Sequence, residues 1–294
     1  QPTNIPLLNG DQYATLIPEE VSNAGRLPLN IDDDKEFSFD PKDPYWYYNY
    51  SNNTDWVKAI TQTGYSQEHD ISMTGGGEKA RYYASIGYYD QKGTTIGTGL
   101  GRITSKINLD YDVSKRIHFR SDITYTHLDN TLNYIPNKDY QVRGVAYDKM
   151  PNMSIYEYDI YGNRTPNYFS PASNIQGQYY TTYNPVALAK NGIYRQQGER
   201  ITPTFNIQYQ IVPSVLLSTF DVEFDINNTQ SHTFLPEDAT GRPATESVVN
   251  TPTNSDGDVI DVYTKTNFIY TPKKNDDNHT LQALMSIQTE DRKD

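Results

Sequence analysis

The chain has 294 residues, with 25 Lys or Arg against 37 Asp or Glu and a formal charge of −12. That balance argues against a nucleic-acid partner, because binding phosphate needs a basic surface. Only 35% of the residues are apolar, where an ordinary globular chain has roughly 45 to 50%, so a conventional core is thinly supplied.

The chain is not disordered in character, since it holds 26 Tyr and a near-average supply of Gly and Pro. Cys is absent, which removes disulfides, thiolate metal sites and Cys nucleophiles. No run of about 18 apolar residues exists, which excludes a transmembrane helix but not transmembrane strands. Gln1-Pro2-Thr3-Asn4 lacks the basic and apolar stretches of a signal peptide.

Residues 1–64 show no strand periodicity. Asn9-Gly10-Asp11-Gln12-Tyr13, followed by Ala14, Leu16 and Ile17, predicts a short capped helix ended by Pro18; the rest reads as loop. Ten acids stand there against Arg26, Lys35, Lys42 and Lys58. The stretch closes on the aromatic run Tyr45-Trp46-Tyr47-Tyr48-Asn49-Tyr50 and then Asn53-Thr54-Asp55-Trp56.

From residue 65 the pattern turns to a period of two. Ile103, Ser105, Ile107, Leu109, Tyr111 and Val113 alternate with Thr104, Lys106, Asn108, Asp110 and Asp112, giving one apolar and one polar face. Eight such segments lie near 65–74, 79–90, 101–113, 117–129, 199–211, 215–230, 258–271 and 279–289. About 12 residues at ~3.3 Å each, tilted near 45°, reach about 28 Å and cross a bilayer.

Connections alternate in length: residues 75–78, 114–116, 212–214 and 272–278 are short, whereas 91–100, 130–198 and 231–257 are long. An up-and-down sheet then carries its tight turns at one end and its large loops at the other, as outer-membrane barrels do. A soluble Greek-key sandwich gives no reason for that segregation. The expected fold is all-β, a transmembrane up-and-down antiparallel β-barrel with long outer loops.

Several of these runs resemble the SusC/RagA family of TonB-dependent outer-membrane transporters. The likeness rests on Asn53-Thr54-Asp55-Trp56, on His69-Asp70-Ile71-Ser72-Met73-Thr74-Gly75-Gly76 and on Lys79-Ala80-Arg81-Tyr82-Tyr83-Ala84-Ser85-Ile86-Gly87-Tyr88. Lys106-Ile107-Asn108-Leu109-Asp110-Tyr111 and Tyr183-Asn184-Pro185-Val186 extend it. The resemblance implies a 22-stranded plugged barrel in the outer membrane of a Gram-negative bacterium. It further implies import of oligosaccharides or peptides with a SusD-like lipoprotein as lid and TonB as energy source. On that reading, residues 1–64 are an extracellular loop region with a short helix. Residues 65–294 supply about eight barrel strands, with long extracellular loops at 130–198 and 231–257. The plug domain and the C-terminal strands are expected to lie outside this chain. A complete small eight-stranded barrel is the alternative, since eight strands do close.

No catalytic constellation emerges, and the chain does not read as an enzyme. The five His are scattered, and His118 and His127, nine residues apart on one strand, face opposite sides. Asp32-Asp33-Asp34 with Glu36, and Asp256, Asp258 and Asp261, offer oxygen ligands for Ca²⁺ but miss EF-hand spacing, so a solvated acidic loop is the better reading. No metal or cofactor is expected. Gly75-Gly76-Gly77 reads as a tight turn in which glycine supplies positive φ.

Two loop clusters are the candidates for contact with a sugar or peptide ligand: Tyr45, Trp46, Tyr47, Tyr48 and Tyr50, and Tyr179, Tyr180 and Tyr183. Aromatic faces stack on sugar rings, but packing of loops on one another uses the same residues. Asn53, Thr54, Asp55, Trp56, Gly75, Gly76, Tyr82 and Tyr83 are read as structural. Tyr82, Tyr88, Tyr111 and Tyr125 fall on the apolar face near strand ends, where an aromatic girdle in contact with outer-membrane lipid belongs. The second functional reading is a secreted or surface-attached glycan-binding or adhesion β-protein without transport.

Overall fold

The computed structural model describes residues 6–23, 42, 44–135, 141–170, 183–240, 249–273, 279 and 281–293. In chain order, helices α1 (Gly10–Asn23), α2 (Pro44–Tyr50) and α3 (Trp56–Ile60) precede strands β1 (Tyr65–Gly76), β2 (Ala80–Lys92), β3 (Gly99–Ser114) and β4 (Ile117–Leu132). The next connection carries α4 (Val142–Asp148), the hairpin β5 (Tyr156–Tyr158) and β6 (Arg164–Tyr168), and α5 (Pro185–Asn191). Then come β7 (Ile193–Val212), β8 (Leu216–Phe234), α6 (Glu237–Thr240), β9 (Thr253–Tyr270) and β10 (Ala283–Lys293).

The eight long strands form one antiparallel sheet in the order β1-β2-β3-β4-β7-β8-β9-β10, so each strand lies beside its neighbour in sequence. All eight segments expected from the alternation are present. Their tight connections gather at one end of the sheet and the connections β2–β3, β4–β7 and β8–β9 at the other. β1 also starts at that second end, where Tyr65 stands opposite Lys92, which brings α1 to α3 over the same edge.

Residues directly opposite in an antiparallel ladder share a face, so the register defines both surfaces. Ile107 stands between Ala84 and Ile123, and Tyr111 between Ala80 and Phe119. The same face carries Phe205, Ile207 and Tyr209 on β7, Phe220, Val222, Phe224 and Ile226 on β8, and Ile260, Val262 and Phe268 on β9. It holds no Asp, Glu, Lys or Arg across 80–88, 103–113, 117–125, 201–209, 216–226 or 260–270. Ile71 is 73% exposed and Ile107 56%. On the opposite face Arg102 meets Glu68 at 3.6 Å, Arg120 meets Asp122 at 2.9 Å, and Arg200 grips Asp225 with two bonds of 2.7 and 2.6 Å.

No buried hydrophobic residue belongs to the eight long strands. The core is a separate cluster of Tyr50, Trp56, Ile60, Val142, Ala146, Met153, Phe169, Tyr183, Val186, Leu188, Leu235 and Ala239, drawn from the helices and long connections. A sandwich would bury one sheet face against another; among the described residues this sheet has no such partner layer.

Four sequence expectations are corrected. Pro18 does not end α1, which runs on to Asn23; around it Leu16, Glu19 and Glu20 are exposed, so water can take the carbonyl that proline leaves without a donor. The aromatic run is helix α2 and Trp56 opens helix α3, where loop was expected. The strands also reach further than their alternation. β8 continues through Asn227, Asn228 and Thr229 to Phe234, and pairs such as His232 Nδ1 with Asn254 Oδ1 at 2.6 Å extend the ladder where both faces are wet.

Lastly, none of Gly75, Gly76 and Gly77 takes a left-handed conformation. A Cβ on Gly75 would meet the Tyr82 ring at 2.5–3.0 Å, and one on Gly76 the Ala80 carbonyl oxygen at 2.5 Å. Close approach, not positive φ, requires glycine there.

Candidate functional site

The long connections build a compact cap over one end of the sheet, and the motif Asn53-Thr54-Asp55-Trp56 is its joint. Asn53 Oδ1 accepts from the Gly10 backbone N–H at 2.9 Å and so anchors the start of α1. Thr54 donates through its hydroxyl to Met153 at 2.6 Å and through its N–H to Pro151 at 2.7 Å. Asp55 caps α3 by accepting from the Lys58 N–H at 2.9 Å. Trp56 is buried, and its indole N–H donates to the Met150 carbonyl at 2.9 Å. Four adjacent residues thus tie α1, α3 and residues 150–153 together.

Asn184 is the second joint. Its Oδ1 caps α5 by accepting from the Val186 and Ala187 N–H groups at 3.0 and 3.2 Å, while Nδ2 donates to the Ile155 and Phe169 carbonyls at 2.8 and 3.0 Å. Pro185 follows at the first helical turn, where its missing N–H costs nothing.

A third joint went unseen in the sequence. Buried Asn49 donates from Nδ2 to the Tyr158 carbonyl and accepts at Oδ1 from the Tyr158 N–H, both at 2.9 Å, holding the β5–β6 hairpin to α2. The hairpin itself carried a signal: Asp159-Ile160-Tyr161-Gly162-Asn163 is a turn run between alternating Tyr156, Tyr158 and Thr165, Asn167. Tyr156 stacks on Tyr168 at 5.2 Å, and the Arg164 guanidinium lies 3.3 Å from the Tyr156 ring centre.

The expected ligand aromatics separate. Tyr50, at 0% exposure, packs edge to face on Phe169 at 5.3 Å, and Tyr183 is buried in the same cluster. Neither has a face open to a ligand, which corrects the expectation for those two; packing of loop on loop claims them. Tyr47 and Tyr48 are half-buried and meet at 5.5 Å. The side chains of Tyr45 and Trp46, and all of Tyr179 and Tyr180, lie outside the described residues, as do Asp32, Asp33, Asp34 and Glu36. Asp256 and Asp258 share one face of β9 and Asp261 the other. Among the described residues no three His, Asp or Glu gather as a metal would need.

On the strands, Tyr82 lies on the charge-free face over Gly75 and Tyr83 on the polar one, and His118 and His127 stand on opposite faces. The His118 ring nitrogens lie 2.9 Å from Asp112 and 3.6 Å from Asp110. Near α3, an open cleft of about 1180 Å³ brings Lys58 and Arg143 together with Tyr13 and Tyr147. Asp55 and Asp148 line it too, and this mixture of both charges with aromatic rings suits a polar ligand. Elsewhere in the cap, burial holds the Tyr168 hydroxyl above the ordinary tyrosine range. Asp159 is held below the ordinary carboxylate range, chiefly by the backbone N–H of Asn163.

No family model matches the chain. In sequence it is similar to TonB-dependent receptor P39 of Formosa agariphila, 26% identical over 234 residues, which are 78% of this chain and 20% of that protein. TonB-dependent receptor P3 of the same organism is 28% identical over 63% of this chain and 18% of its own length. TonB-dependent receptor SusC of Bacteroides thetaiotaomicron is 37% identical over 57 residues, 19% of this chain and 6% of that one. In fold the chain is similar to the RagAB peptide transporter, with a TM-score of 0.64 and 17% identity over 97% of this chain and 33% of that one. The chain spans about a fifth of the length of the curated relatives P39 and P3. It is SusC/RagA-like, and what it resembles are receptors and transporters, not enzymes.

Proposed function

We propose that this SusC/RagA-like chain is wall and outer loop of a TonB-dependent importer in the outer membrane of a Gram-negative bacterium. It works with a SusD-like surface lipoprotein, takes up oligosaccharides or peptides, and draws on TonB through a plug region outside this chain. The observation that carries the reading is the charge-free, exposed face of a sheet that has no partner layer among the described residues. On β8 this face runs from Leu216 to Ile226, about 33 Å along the strand at ~3.3 Å per residue, or ~23 Å at a 45° tilt, close to the roughly 25 Å apolar band of outer-membrane barrels. Tyr82, Tyr111, Phe119 and Tyr209 line its short-turn end, where an interfacial girdle belongs. A secreted module without transport would leave that whole face in water, far beyond the few hundred Å² of contiguous apolar patch that soluble proteins tolerate.

The ionic face then lines the lumen. Tyr45, Trp46, Tyr47, Tyr48, Tyr179 and Tyr180 are the candidates for ligand contact in this reading. Fractionation and gel behaviour test it. The protein should sediment with the outer membrane, need detergent for extraction and migrate faster unheated than boiled. Release into the soluble fraction without detergent would defeat the proposal.

A further inference from the structure

Where α3 leads into β1, the cleft of about 1180 Å³ has walls fixed by the cap's own joints. The Asn53 bond to Gly10 holds the wall formed by the first residues, and the Trp56 bond to Met150 holds another. The Gln62 and Ile96 N–H groups donate to the Thr94 and Ile60 carbonyls at 2.9 Å each, pinning α3 to the β2–β3 connection. The side chains presented there differ sharply in character. Leu7 and Leu8 are 45% and 42% exposed, Lys58 and Arg143 are exposed cations, and Asp148 is an exposed anion.

These charges are not answered from within. Among the described residues, no hydrogen bond or ion pair reaches the side chain of Lys58, Arg143 or Asp148. Elsewhere Arg102, Arg120, Arg195, Arg200 and Arg292 each meet a carboxylate, and Arg164 lies over a tyrosine ring. Within the cleft, Asp55 is engaged in capping α3, and Lys149 is buried with a partner. A desolvated charge without a counter-ion is strongly penalised. A ligand that displaces water here must therefore bring a negative group for Lys58 and Arg143, a positive one for Asp148 and an apolar one for Leu7 and Leu8. A neutral oligosaccharide supplies neither charge, and an acidic one supplies only the first. A peptide supplies all three, through its carboxylate, its amine and its apolar side chains.

We infer that this cleft is a peptide-binding site, in which Lys58 and Arg143 hold a carboxylate, Asp148 a cationic group, and Leu7 and Leu8 an apolar side chain. That the bound peptide is cargo rests on the importer reading above, and it narrows the substrate of that reading to peptides carrying both charges. Tyr13 and Tyr147 line the site with rings that pack on apolar groups and hydroxyls that bond peptide N–H or C=O groups. The volume exceeds the ~300–1,000 Å³ of small-molecule sites, which gives a short peptide room. Walls fixed before binding lower the entropy lost on it.

The experiment uses the full-length transporter, purified and immobilised. The probe is a tryptic digest of a soluble protein, whose peptides carry a free amine, a basic last residue and a carboxylate; neutral dextran oligosaccharides are the control, and mass spectrometry reads retention. Wild type should retain the peptides. The double variant Lys58→Gln with Arg143→Gln should lower retention by about tenfold or more, the range for truncating a charge that is paired on binding. Amidating the peptide carboxylates should weaken wild-type binding to the same degree and the double variant no further, which only direct contact gives. The variant's heat-modifiable band should match wild type, so misfolding is told apart from lost binding. Equal retention by variant and wild type, a further loss on amidation in the variant, or no peptide retained by wild type would overturn the peptide site and spare the importer reading. Peptide held through Lys58 and Arg143 by a protein that leaves the membrane without detergent would uphold the site and defeat that reading.

Discussion

Ile107→Arg tests the membrane face at its most informative position. Ile107 stands on β3 midway between Ile103 and Tyr111, opposite Ala84 on β2 and Ile123 on β4, and it is 56% exposed. In water such a position would tolerate arginine within about 0.5 kcal/mol. In hydrocarbon the same change costs about 2–4 kcal/mol near the midplane and falls toward about 1 kcal/mol at the interface. At about 1.4 kcal/mol per factor of ten, the ratio of folded to unfolded protein should drop by roughly thirty- to several-hundred-fold. Leu109→Arg lies one step nearer the Tyr111–Phe119 pair and should cost less. Lys106→Met, on the ionic face between Ser85 and Thr124, should stay within about 0.5 kcal/mol. Urea titration of the full-length protein in lipid vesicles, read by loss of the heat-modifiable band, ranks the three. Equal costs at Ile107 and Lys106, or arginine tolerated at both Ile107 and Leu109, would refute a lipid-facing assignment.

Three further outcomes follow from the cap and the turn. Asn184→Ala should destabilise the cap by about 3 kcal/mol, because two buried N–H groups and two carbonyls lose their partners; protease cutting in the loops should rise while the strand ladder, read by the heat-modifiable band, is unchanged. Gly76→Ala should cost more than Gly75→Ala, about 1–3 kcal/mol for overpacking, since the first meets backbone and the second the exposed Tyr82 ring, which can swing aside; denaturant midpoints decide the order. The Asp159 pKa lies below its unfolded value, so its support of the hairpin tip is fully present above the unfolded pKa and fades as pH falls through the folded one. Amide protection at Tyr161 and Asn163, normalised for intrinsic exchange, should hold from neutral pH down to about pH 4, the ordinary carboxylate value, and decline below it.

The sheet was legible because one charge-free face and one ionic face impose a strict period of two. Ile103 to Val113 carries that pattern without a break, and with its seven counterparts sets strand number and order. Where both faces are wet the pattern stops, although the strand does not: Asn227 to Ser231 alternates nothing and still pairs with residues 255–259. The cap was legible only in its joints. Asn53-Thr54-Asp55-Trp56 and Asn184-Pro185 stood out as motifs, but what they hold lies 94 to 99 residues away in the case of Trp56 and Thr54, a distance no local reading spans. The aromatic run from Tyr45 to Tyr50 looked like ligand surface because five rings in six positions cannot share one interior; Tyr50 took the interior place, and helical winding turns Tyr48 to another side of α2. Pro18 misled because its rule assumes a buried or crowded helix, and α1 is neither.

In the proposed importer, the low apolar content and the mean hydropathy of −0.77 would follow from how the molecule divides its two solvents. A strand that crosses lipid beside a polar lumen needs an apolar residue at only every second position, and that half is covered by hydrocarbon instead of by protein. The chain's own buried hydrophobics can then all go to the cap, which stands in water and must close a core of its own. Each part is stabilised by a different medium, so damage should stay local. Loss of Asn184 leaves the ladder standing and loss of Ile107 leaves the cap's hydrogen bonds untouched. This separation lets the outer loops carry open, charged features such as the cleft of Lys58 and Arg143 without cost to the wall beneath them.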